Sequence, residues 1–191
     1  MSKTIGVLAL QGGYQAHLKA LDTCGYKTLA VREISDLRNL DGLVLPGGES
    51  TTQIKLMKRF GHWSVIDELV RSGCPTLATC AGLILAASHV TQPSQVSFGW
   101  LDMDVTRNGW GRQVHSGEGL ADLESTRPHF GDDPLKLLFI RAPRIQRVGQ
   151  RVDVLAMTNG EAVMVRQGAL IAASFHPELT DDLRVHRLTF G

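Results

Sequence analysis

The stretch Pro75-Thr76-Leu77-Ala78-Thr79-Cys80-Ala81-Gly82-Leu83-Ile84-Leu85 sets the reading of the whole chain. A short apolar run climbs to Thr79, the chain turns at Cys80, and helical spacing begins at Ala81. A strand that turns sharply into a helix presents its corner residue at the carboxyl edge of a sheet. Free amides and the positive end of the helix dipole favour a thiolate there over a thiol. Ala78 and Gly82 are small enough for tight packing around such a corner. For this string alone a buried structural cysteine competes with a nucleophile, since free cysteine is often buried.

Upstream, residues 4–10 read as a buried strand stopped by Gly12-Gly13, and residues 14–23 as a helix ended at Gly25. Residues 27–31 and 42–45 read as two more strands, the second closed by Pro46-Gly47-Gly48. Helices are predicted over 51–59, 64–71 and 81–88, with a strand over 76–79. Strand and helix alternating at this spacing predict a parallel sheet covered by helices on both faces. The strands are continuous apolar runs, as burial on both faces requires.

Downstream the character changes. Residues 100–106, 136–140, 152–158, 162–167 and 170–174 read as strands, and Asn159-Gly160 is a hairpin turn. This half is expected to extend the sheet with antiparallel strands. Residues 107–134, rich in Gly, Pro and charge, read as long loops with a short helix at most. Residues 181–190 read as a final helix capped by Thr180 or Asp181. No repeat or linker divides residues 1–191, so a single α/β domain is expected.

Composition narrows the classes. Hydrophobic residues are 43% and charged residues 20%, ordinary for a globular protein, and the net charge of +1 points to neither nucleic acid nor an anionic membrane. No apolar stretch approaches the roughly 20 residues that span a bilayer. The first residues run straight into a strand with no cleavable signal, and three cysteines (Cys24, Cys74, Cys80) form no paired framework or metal-ligand spacing. A reducing cytoplasm is the expected location.

A cysteine nucleophile needs a base, and the base needs an orienting group. Of seven histidines, His176 in Ser174-Phe175-His176-Pro177-Glu178-Leu179 is best placed, just after an apolar strand. Open α/β sheets build their sites at such strand ends. Glu178, two residues on, can reach back to one imidazole nitrogen. His17, His62, His89, His129 and His186 lie in helical or loop contexts and are expected to be solvated. Pro46-Gly47-Gly48-Glu49-Ser50 suits an oxyanion hole, because two glycines let amide N–H groups turn toward a ligand. A plain βα turn reads equally well from Gly-Gly alone. Glu49 could grip an α-amino group or simply cap the following helix. Arg112 and Arg141 could hold a carboxylate or serve as surface charges.

Taken together these strings resemble the class I (triad) glutamine amidotransferases. More closely they resemble the glutaminase subunits of the two-component pyridoxal 5′-phosphate synthase, the PdxT family. The resemblance spans nearly the whole chain: Gly6-Val-Leu-Ala-Leu-Gln-Gly, Leu45-Pro-Gly-Gly-Glu-Ser-Thr-Thr, Thr79-Cys-Ala-Gly-Leu-Ile-Leu, Gly111-Arg-Gln, Phe139-Ile-Arg-Ala-Pro and Ser174-Phe-His-Pro-Glu-Leu-Thr. It implies a flavodoxin-like α/β/α sandwich. It implies Cys80 as nucleophile, His176 as base and acid, and Glu178 as orienter. Gly47, Gly48, Glu49, Arg112, Ile140 and Arg141 would contact L-glutamine, with Gly48 helping to build the oxyanion hole. No metal or cofactor is expected. The partner would be a PdxS-type synthase subunit that receives the ammonia. Another amidotransferase subunit, or a subunit that binds glutamine without turnover, are the competing readings.

The chain departs from the family pattern at three places: Ala78 where Gly is usual, Trp110 where Tyr or Phe is usual, and Val114-His-Ser-Gly-Glu-Gly where the segment usually ends in Ser-Phe-Glu.

Overall fold

A computed structural model of the chain describes residues 2–107 and 116–191. Its strands are β1 (Thr4–Leu8), β2 (Lys27–Val31), β3 (Gly42–Leu45), β4 (Thr76–Thr79), β5 (Ala87–Thr91), β6 (Leu101–Thr106), β7 (Ser116–Leu120), β8 (Lys136–Ile140), β9 (Arg144–Val148), β10 (Asp153–Thr158), β11 (Glu161–Gln167) and β12 (Leu170–Ala173). Its α-helices are α1 (Tyr14–Thr23), α2 (Ser50–Arg59), α3 (His62–Arg71), α4 (Ala81–Ala86), α5 (Leu123–Phe130) and α6 (Arg184–Phe190).

The central sheet has seven strands in the order β10-β11-β12-β4-β3-β1-β2. β2, β1, β3, β4 and β12 run parallel, and β11 and β10 add an antiparallel edge, the expected mixed pattern. Side chains alternate across it, because successive residues of a strand point to opposite faces. Leu43, Leu45, Ala78, Leu170 and Ala172 enter one core with Ile54 and Met57 of α2, Ile66 and Val70 of α3 and Leu83, Ile84, Leu85 and Ala86 of α4. Val44, Leu77, Ile171 and Ala173 enter the other with Leu21 of α1 and Val185 and Phe190 of α6. Apolar residues on both faces are thus what makes three layers.

Four expectations need correction. The helix after Cys80 stops at Ala86, and residues 87–91 form β5 instead of its last turn. Pairing with β6 and burial of Val90 override helical spacing there. Strands β6 and β8 do not join the central sheet: β6 lies between β5 and β9, and β8 pairs with β7 alone. Within the segment 107–134, expected as loop with a short helix, β7 is a strand held by its pairing with β8, and β9, assigned to no element from sequence, is an alternating strand whose outward Arg147 bonds Asp102 and Asp104. α6 begins at Arg184, not beside Thr180 or Asp181; Asp182 Oδ1 accepts from the Arg184 backbone N–H.

Candidate active site

The register of β3, β4 and β12 decides where the chemistry can be. Leu45 pairs with Ala78, and Ala173 pairs with Thr79, so three parallel strands end at one level. The segments that leave these ends, residues 46–49, Cys80 and residues 174–178, therefore converge.

Cys80 is the corner between β4 and α4, with φ 47° and ψ −99°. A non-glycine residue at such angles is strained, a cost that persists where surrounding structure enforces it. Two hydrogen bonds do so: Cys80 N–H donates to Ala173 O at 2.8 Å, and Ile84 N–H donates to Cys80 O at 3.2 Å. Gly82 closes the corner, for a β-carbon there would stand 2.2 Å from Leu45 O.

His176 is pinned by its backbone N–H to Leu138 O of β8 at 2.8 Å. Its Nδ1 lies 2.7 Å from Glu178 Oε1, and both side chains are buried. Pro177 opens a single 3-10 turn that lets residue 178 fold back on residue 176. Burial works against a charged imidazole, but hydrogen bonding to Cys80 and Glu178 outweighs it and raises the His176 pKa to about 10. Burial likewise works against the Glu178 anion, and the neighbouring His17 and His176 overcome it, so its pKa is lowered.

Gly47 threads between these groups. A β-carbon on it would lie 2.5 Å from His176 Cε1 and 3.4 Å from Cys80 Cβ. The loop is tied down by Gly13 N–H to Gly47 O at 3.0 Å and by Glu49 N–H to Gln11 Oε1 at 3.1 Å. Glu49 caps α2, accepting from the backbone N–H groups of Thr51 and Thr52. Burial raises its pKa, but these bonds and the Thr52 hydroxyl win and hold it at about 2.

A cleft of about 450 Å³ opens over Cys80, His176 and Glu178. Of the residues named from sequence, Gly47, Gly48, Glu49, Ile140 and Arg141 all line it. Arg141 also has φ 46°, a second non-glycine residue in the left-handed region at this site. Arg112, with Trp110 and residues 114–115, lies outside the described residues. Ala78 is fully buried, and its methyl is accommodated in the core on the α2–α4 side.

Among the lining residues not singled out from sequence are Gln11 and Arg107. Arg107 Nη2 lies 3.1 Å from Glu49 Oε1 and 3.3 Å from Thr51 Oγ1. Its signal was its place directly after a strand. Three histidines expected to be solvated are buried instead: His17, His62 and His186. His17 shares the core-facing side of α1 with Ala20 and Leu21, which is the spacing that could have placed it. Among the described residues no group of three His, Cys, Asp or Glu side chains could hold a metal ion, and no helix is long and apolar enough to cross a membrane.

A cysteine at a strand–helix corner, a His–carboxylate pair beside it and a glycine loop across it thus lie together at one edge of a flavodoxin-like sheet, the arrangement of a candidate cysteine-dependent site. Residues 7–190 match the SNO glutamine amidotransferase family, and the chain belongs to it. Within that family it is similar to the pyridoxal 5′-phosphate synthase subunit PdxT of Kosmotoga olearia, at 49% identity over 95% of this chain and 93% of that one. PdxT of Thermotoga neapolitana is 45% identical over 96% and 95% of the two chains. A solved structure described as a glutamine amidotransferase superposes with a TM-score of 0.87 at 42% identity, covering 96% of this chain and 95% of that one.

Proposed function

We propose that this chain is the glutaminase subunit of a pyridoxal 5′-phosphate synthase, hydrolysing L-glutamine through Cys80, His176 and Glu178 and passing ammonia to a PdxS-type subunit. The observation that carries the reading is the His176–Glu178 contact of 2.7 Å beside a nucleophile fixed at a strained corner.

Glu178 occupies His176 Nδ1, which leaves Nε2 to exchange a proton with the thiol. Cys80 gives that proton to His176, and the sulfur attacks the side-chain amide carbon of glutamine. The carbonyl oxygen becomes an oxyanion, for which the Gly48 N–H is the proposed donor. His176 returns its proton to the amide nitrogen, the C–N bond breaks, and ammonia leaves a glutamyl thioester. Water, losing a proton to His176, attacks the thioester. Collapse releases glutamate and restores the thiol.

Arg107 and Arg141 supply guanidinium groups for the substrate α-carboxylate, and Glu49 keeps a negative charge for its ammonium. Ile140 contributes an apolar wall, and Arg112 is proposed from sequence alone.

The test is glutamate release by the purified chain with and without a PdxS-type subunit. Release that depends on Cys80 and rises when the synthase is added supports the reading. Turnover retained by Cys80→Ala would sink it.

A further inference from the structure

The two oxygens of the buried Glu178 keep different company. Oε1 meets His176, whereas Oε2 has no hydrogen-bond partner among the described residues. The polar atom it faces is His17 Nε2 at 3.3 Å. A carboxylate oxygen left bare in the core is costly, so what stands opposite it matters.

His17 is itself held from both ends. Its Nε2 lies 3.1 Å from Thr79 Oγ1, and its Nδ1 lies 3.1 Å from Nε2 of His186 on α6. The two rings meet edge-on with centroids 5.3 Å apart. The tautomers follow from the network. A lone pair on His17 Nε2 would oppose the Glu178 anion, so Nε2 carries the hydrogen. His17 Nδ1 then accepts from His186 Nε2–H, which leaves His186 Nδ1 as an unused lone pair, and that atom indeed has no partner. Burial holds both rings uncharged at neutral pH: His17 is lowered by burial against the pull of Glu178, and His186 is lowered to about 3.

We propose that His17 is a positioning residue of this active site: its Nε2, bonded to Thr79 Oγ1, backed by His186 and standing 3.3 Å from Glu178 Oε2, sets the rotation that turns Oε1 to His176. The terminal torsion of a glutamate is broad and two-fold, so one contact does not fix the carboxylate plane. A second contact does. An uncharged donor fixes the plane without competing with the imidazolium for the negative charge.

The kinetic part of the test rests on the glutaminase reading, and the chemical part does not. His17→Leu removes the donor, while His17→Gln restores an N–H near the Nε2 position. In the complex with the synthase, His17→Leu is expected to lower kcat for glutamine about 10- to 100-fold, with KM within about twofold. In the chain itself, the pH midpoint for iodoacetamide alkylation of Cys80 is expected to move upward. His17→Gln is expected to recover most of both. If His17→Leu does not fold, His17→Asn takes its place, because its amide reaches only the Nδ1 position.

The proposal is overturned if the donor-free variant keeps the wild-type midpoint and kcat and loses only thermal stability. It is also overturned if the Gln variant is as impaired as the donor-free one, since ring volume would then be the cause. If the wild-type complex releases no glutamate, the glutaminase reading fails and the alkylation profile alone decides for or against His17.

Discussion

Gly47 and His176 approach so closely that a β-carbon on the glycine would stand 2.5 Å from His176 Cε1. Gly82 is equally confined, but its neighbour is the Leu45 carbonyl, 2.2 Å from the corresponding position. The same substitution should therefore fail in two ways. Gly47→Ala displaces the imidazole and should cut glutamate release by at least about tenfold while the fold survives, since a small misplacement of a reacting group is costly. Gly82→Ala pushes α4 off β3 and should lower stability by about 1–3 kcal/mol, the usual range for overpacking. Thermal melts beside turnover separate the two, and a Gly47→Ala chain with wild-type turnover contradicts the geometry.

Glu178→Gln preserves shape but removes the charge that His176 leans on. Turnover should fall by about four orders of magnitude, the scale of loss when a triad histidine is deprived of its carboxylate. The His176 titration, followed by NMR, should move down from its raised position. A pKa that stays near about 10 in this variant would assign the shift to Cys80 alone.

Arg107→Ala should act on binding. Its guanidinium faces the cleft at Glu49, and loss of a hydrogen bond to a charged group is worth about 1.5–3 kcal/mol, or roughly 10- to 150-fold in KM for glutamine. An unchanged KM removes Arg107 from the substrate site.

Stability should peak near neutral pH. His186 takes up a proton near 6.5 when unfolded but only near about 3 in the fold, because burial and then His17 oppose its charge. Between those values the unfolded chain binds more protons, so stability falls as pH drops, by about 2 kcal/mol at pH 5 from this residue. His17 adds in the same direction. His176 acts oppositely: its contribution is complete below about 6.5 and fades as pH rises toward about 10. Urea midpoints from pH 5 to 10 check this. An acid limb as steep in His186→Leu as in wild type would contradict it.

Ala78→Gly tests the departure from the family pattern. The methyl is fully buried, so its removal should destabilise by about 1 kcal/mol, from lost apolar contact and added backbone freedom. A Tm that rises would mean the methyl strains the corner.

The fold was legible in the first half because β1, β3 and β4 are short runs without a charged residue or a polar–apolar alternation, the mark of strands buried on both sides. The candidate trio of Cys80, His176 and Glu178 stood out in the sequence because Cys80 directly follows one strand and the other two come within five residues of the end of another. β5 and β9 were not, since Ser88, His89, Arg144 and Arg147 face outward and dilute the period-2 pattern. Arg107 was missed for a related reason: it opens a segment whose composition reads as loop. The buried histidines were missed because a histidine's own residue type carries no sign of which neighbours will shield it, and His17 and His186 are brought together only by the packing of α1 and α6.

The level ending of β3, β4 and β12 also has a consequence in time. Cys80 is made first, but His176, its base in the proposed mechanism, arrives almost a hundred residues later, just past the strand that must slot between β4 and β11. On the proposed mechanism Cys80 lacks its proton acceptor until residues 170–178 have emerged and docked. A nascent or half-unfolded chain is thus chemically quiet, and reactivity arrives together with the last parallel strand.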